Sequence, residues 1–185
     1  MKRLIFWTLI VIAAVLTIAL LFELRQWRQA RSDNELLNQM RQGHDITAEQ
    51  LVGARPEIRL ARAIYLRRGH RYDDALASLN PILDEGGDAF RAQVRYNLGN
   101  LYLSQALERV QIDEIEQALA LAELAKDAYR SALRIDSAYW DAKYNLEVAM
   151  RLAPEMERVQ SEADENDNRK SAPLTTLPGF PRGLP

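Results

Sequence analysis

The sequence predicts an all-α chain, entered through a long apolar N-terminal helix and followed by a proline-rich tail. Three observations carry this prediction. From Glu57 to about Met156 apolar residues recur at helical spacing, with no β-branched alternation. The breaks at Gly69-His70-Arg71, Asp84-Glu85-Gly86-Gly87, Asp136-Ser137 and Pro154 leave helical hairpins of about 30 residues. Finally, Tyr96-Asn97-Leu98 returns as Tyr144-Asn145-Leu146, 48 residues later, as expected of a repeated supersecondary unit.

The first element is Leu4 to Phe22, 19 residues without a charge. As a helix it would be about 28 Å long, close to the hydrocarbon thickness of a bilayer. It exceeds the apolar stretch of a cleaved signal peptide, so residues 1–23 are expected to be a retained transmembrane anchor. Trp27 among Arg25, Arg28 and Arg31 suits the interfacial belt beyond such a span. Lys2 and Arg3 flank the other side, so flanking charge does not fix the orientation.

Residues 24–56 are expected to form a stalk and entry helices. Gly43 would cap the first of these, and Thr47 would N-cap a second starting in Asp45-Ile46-Thr47-Ala48-Glu49. Gly53 and Pro56 end the segment, and residues 57–156 hold the helical hairpins. Residues 157–185 are expected to be a disordered tail, acidic at first and then rich in proline and glycine.

Composition excludes several functions. With no cysteine there is no thiolate chemistry, and two histidines, His44 and His70, make a His-rich metal site untenable. Residues 1–31 carry five basic groups and one acidic group, leaving 19 basic against 25 acidic in the rest. An acidic soluble part lacks the footprint of a nucleic-acid binder. Asp164 to Asn168 has the acidic start of a calcium loop, but Arg169 and Thr175 stand where glycine and glutamate are required. No nucleophile–base pair or phosphate loop is visible, so the chain is read as non-enzymatic and without a cofactor.

The repeat resembles the tetratricopeptide (TPR) family. Its period of 34 residues is 14 short of the 48 seen here, which implies an insertion of 14 residues between Leu103 and Leu124. Leu98, Gly99 and Tyr102 match the family's first helix, and Ala125, Tyr129 and Ala132 its second. A weaker earlier copy holds Ala63 and Ala75 at equivalent places, and a half repeat from Trp140 resembles a capping helix. Glycine inside a helix is unfavourable by about 1 kcal/mol relative to alanine, so Gly99 implies a close helix approach. The resemblance further implies a partner groove lined by Tyr96, Asn97, Asn100, Leu103, Tyr144, Asn145 and Val148. Asn100 and Asn145 match asparagines that clamp a peptide carboxylate in some relatives. Tyr96 replaces the lysine that accompanies them, which favours a structural role.

The order of features is similar to one narrower family. An N-terminal span, RYNLGN at 95–100, DAKYNLEVAMRLAPE at 141–155 and the ending PGFPRGLP at 178–185 together resemble the MxaK family. Those proteins are accessories of bacterial methanol-oxidation gene clusters. The resemblance implies a soluble domain in the periplasm, an inner-membrane location and protein partners engaged in maturing methanol dehydrogenase, through calcium insertion or assembly. Pro178, Gly179, Phe180, Pro181, Leu184 and Pro185 are expected to dock into a partner groove. Two other readings use the same features. One is a repeat component of an ATPase (MoxR) and von Willebrand A-type envelope or aerotolerance complex. The other is a metal carrier using the acidic stretch Glu162 to Asp167.

Overall fold

Forty residues at the N-terminus form one uninterrupted helix, α1 (Lys2–Arg41), about 60 Å long in the computed structural model. The structure describes residues 2–47 and 49–152, apart from the side chains of residues 2–5, 8, 9 and 11. The expected tail, with Pro154, the acidic stretch and Pro178 to Pro185, lies outside the described residues. The described residues are helical throughout, with no strand. After α1 come α2 (Pro56–Arg68), α3 (Tyr72–Leu79), a 3₁₀ turn (Asn80–Ile82), α4 (Asp88–Gln111) and α5 (Ile115–Ile135). A last helix, α6, is described over 140–152.

Every described side chain from residue 12 to residue 32 of α1 is exposed; burial begins at Asp33, Leu36 and Met40. Among the described residues no helix is long and apolar enough to cross a membrane. Five of the residues in Leu4–Phe22 have side chains outside that set, and the expected anchor draws no support from the rest.

Three helices end in the same way. Gly43, His70 and Asp113 hold φ of 85°, 58° and 63°. After α1, the Gly43 N–H donates to the Met40 carbonyl and the His44 N–H to that of Gln39, the double bond of a Schellman cap. His70 and Arg71 close α2 on Arg67 and Leu66, and Asp113 and Glu114 close α4 on Val110 and Arg109. At the Gly69 break the left-handed residue is therefore His70, while Gly69 keeps φ of −90°.

The helix expected to start at Thr47 does not form. Thr47 and Gln50 make the reciprocal bonds of a capping box, Thr47 N–H to Gln50 Oε1 at 2.8 Å and Gln50 N–H to Thr47 Oγ1 at 3.4 Å. Only a single turn follows, because Gly53 (φ 77°) and Pro56 interrupt the chain within one further turn. The loop is instead fastened through Asp45, which accepts bonds from Arg62 of α2 and from Arg71.

The chain divides into two units, Met1–Gly86 and Gly87–Pro185. The first has a core of Leu36, Met40, Ile46, Leu51 and Ile58, with Leu37, Ala54, Ala61 and Tyr65 against it. In the same unit Leu60, Ala63, Leu66, Ala75, Leu79 and Ile82 are buried where α2 and α3 form a hairpin.

In the second unit α4 and α5 form a long hairpin whose link is Ile112, Asp113 and Glu114. The segment from Leu103 to Leu124, where the sequence places an insertion, is helical in α4 and α5 on either side of this short link. The buried face of α5 is Ala118, Ala122, Ala125, Ala128 and Ala132 with the larger Ile115 and Tyr129. The end of the hairpin near its link has a core of Ile115 and Ala118, with Val110, Leu119 and Leu152 packed on it.

Candidate interaction site

The residues at which the two Tyr-Asn-Leu copies meet belong to α4 and α6. Tyr129 of α5 is fully buried, and its ring lies directly over Gly99 of α4. A Cβ at Gly99 would sit 2.5 Å from Tyr129 Cε1. The glycine therefore makes room for an aromatic ring, rather than for the backbone of the paired helix. At the end of that ring the Tyr129 hydroxyl donates to Asn100 Oδ1 at 2.8 Å. Asn145 Nδ2 of α6 donates to the same oxygen at 2.8 Å and to the Tyr96 hydroxyl at 3.3 Å.

The expected groove set is split by this arrangement. Tyr96, Tyr102, Leu103 and Leu146 are half-buried and pack on a core of Ala125, Tyr129 and Ala149. Asn97 is buried and its amide donates to the Gln93 carbonyl at 2.8 Å, a bond within its own helix. On this side α4 packs against the chain's own α6. Asn100 and Asn145 are brought together, but as donor and acceptor to one another. Val148 is half-buried beside them, whereas Tyr144 points away and is 68% exposed. Of the repeat-defining residues, Ala63, Ala75, Gly99, Ala125, Tyr129 and Ala132 are buried, and Leu98 and Tyr102 half-buried. Tyr139 adds a third ring, 5.0 Å from Tyr96. Burial, assisted by Tyr96, Asp141 and Asp136, pushes its phenol up to about 12, so it stays neutral at ordinary pH.

The outer side of α6 is different in kind. At 100° per residue, positions 140, 144, 147 and 151 share a face opposite 142, 146 and 149. Ala142 and Ala149 are fully buried, while Trp140 is 76% exposed. Lys143 Nζ sits 5.1 Å from the centre of the Trp140 ring, and an ion pair of Glu147 with Arg151 continues the same face. An end helix of a repeat array ordinarily shows water a polar face. Here that face begins with Trp140 and Tyr144 one turn apart.

No family model, curated protein or solved structure matches this chain. The sequence reading gave Trp140 only the role of opening a helix. The overlooked signal is an aromatic pair four residues apart, set opposite Ala142 and Ala149 on the helical wheel.

Elsewhere the features are modest. A groove of about 250 Å³ between α1 and α2 is lined by Leu37, Met40, Ala61, Ile64 and Tyr65, with Arg41 and Arg68 at its edge. Among the described residues no three His, Asp or Glu side chains are grouped to hold a metal ion.

Proposed function

We propose that this chain is a membrane-anchored, non-enzymatic helical scaffold that docks protein partners during maturation of a periplasmic methanol dehydrogenase. The observation that carries the docking role is the outward face of α6, where Trp140 and Tyr144 are 76% and 68% exposed. Tryptophan and tyrosine are the side chains that most often anchor protein interfaces, because each offers a large rigid surface with a polar handle. The part-buried network of Tyr96, Asn100, Tyr129 and Asn145 fixes α6 from behind, so the face is presented on a rigid element.

Anchoring is supported by the sequence of Leu4 to Phe22, 19 uncharged residues belonging to one continuous helix, and by Trp27 and its arginines just beyond. The dehydrogenase, the periplasmic side and the choice of partners are supported by the resemblance to the MxaK family.

The test is genetic and biochemical together. A chromosomal W140A/Y144A copy is expected to insert normally, to lose its partners in pull-downs from membranes, and to leave methanol dehydrogenase short of calcium and activity. Methanol dehydrogenase of normal calcium content and activity from a strain lacking the whole gene would overturn the reading.

A further inference from the structure

The face of α6 carries a chemistry that the chain itself can meet. Exposed tryptophan and tyrosine side by side are how proline-rich segments are recognised: flat rings receive pyrrolidine rings, and the extended polyproline conformation loses little entropy on docking. Trp140 and Tyr144 stand one helical turn apart, about 6 Å along the axis. Two prolines three residues apart in polyproline II are spaced by about 9 Å, within reach of two such side chains. Lys143 lies by the Trp140 ring, a cation able to meet backbone carbonyls.

The sequence holds such a ligand. Pro178-Gly179-Phe180-Pro181 is a Pro-x-x-Pro segment, with Phe180 to add an apolar contact. Between Leu152 and Pro178 lie 26 steps of chain, a reach of up to about 90 Å. The way back along α6 from Leu152 to Trp140 is only about 18 Å. A ligand tethered to its own receptor by so short a link has an effective concentration in the millimolar range, so even a weak contact is populated.

We infer that the Pro178–Pro181 segment docks in cis on the Trp140–Tyr144 face of α6. The inference rests on the reading of that face as a docking surface, and on no particular partner.

The test uses the full chain in detergent micelles, labelled with 5-fluorotryptophan. Trp7, Trp27 and Trp140 give three fluorine resonances, and W140F assigns the third. Replacing both prolines (P178A/P181A) is expected to move the Trp140 resonance and leave those of Trp7 and Trp27 in place. A synthetic peptide of residues 173–185 added to that variant should return the resonance saturably. An unchanged circular dichroism spectrum of P178A/P181A verifies that the helices are intact. A Trp140 resonance identical in the wild type and P178A/P181A overturns the inference. So does a shift that disappears on tenfold dilution, which would place the segment of a second copy on the face. Failure here alongside successful partner capture through Trp140 would sink the tail contact and spare the docking face. Loss of both would sink the docking face itself.

Discussion

Gly99 is the residue at which packing is least forgiving. Alanine there would gain about 1 kcal/mol of helix propensity. Its Cβ would lie 2.5, 2.6 and 2.9 Å from three atoms of the Tyr129 ring, closer than van der Waals contact allows. That ring cannot easily retreat, since it is fully buried and its hydroxyl is bonded to Asn100. Overpacking of this kind typically costs about 1–3 kcal/mol, and against so unyielding a ring the cost exceeds the propensity gain. G99A is therefore expected to lower the thermal midpoint of the second unit's unfolding, followed by circular dichroism. In a Y129A background the clash has no partner, and the same substitution should become neutral or slightly stabilising. An equal loss in both backgrounds would show that the glycine serves something other than the ring.

At the scale of elements, the segment between α1 and α2 depends on a charged fastening, as no helix forms there. Asp45 lies between Arg62, which donates from both Nε and Nη2 at 3.1 and 3.2 Å, and Arg71, at 2.7 Å. Burial alone would raise the carboxyl, but the hydrogen bonds and charges of Arg62 and Arg71 outweigh it and hold Asp45 below the usual carboxylate range. With a folded value lower than the unfolded one, the contribution is complete above about pH 4 and fades as pH falls through the folded value. D45N should cost about 1–2 kcal/mol at neutral pH, because partly exposed charged hydrogen bonds lie at the low end of their range. It should also flatten the loss of stability in acid, measured as urea midpoints between neutral pH and pH 3. An acid limb as steep in D45N as in the wild type would contradict this account. The same segment illustrates how local signals mislead: Thr47 and Gln50 do form a capping box, yet Gly53 and Pro56 allow it only one turn.

For the whole molecule, the division at Gly86–Gly87 matters most. Each unit owns a core: Leu36, Met40, Ile46, Leu51 and Ile58 in the first, and Ala125, Tyr129 and Ala149 with Ile115 and Ala118 in the second. A fragment starting at Gly87 is accordingly expected to fold alone, to melt cooperatively, and to show the same relative effect of G99A as the intact chain. A gradual, non-cooperative melt of that fragment would mean that the second unit needs the first. The proposed docking face belongs to this scale too. The α4–α5 hairpin is closed on one side by α6, and α6 presents Trp140 and Tyr144 on its other side.

The sequence by itself determined the helical class, because periodicity and breakers are local properties that tertiary contacts did not override here. It determined the end of α1 at Gly43, whose positive φ suits a residue without a Cβ. Only the tertiary structure decided that residues 103–124 are helical apart from a three-residue link, with Ala118 and Ala122 buried along that length. Only it decided that Tyr96, Asn100 and Leu103 face α6, and that the returning Tyr-Asn-Leu is an internal bond between its two copies. A side chain's neighbours on its own helix follow from spacing. The helix that covers it depends on which arrangement buries the most apolar surface and pairs the buried amides, and that choice is made by the whole chain at once.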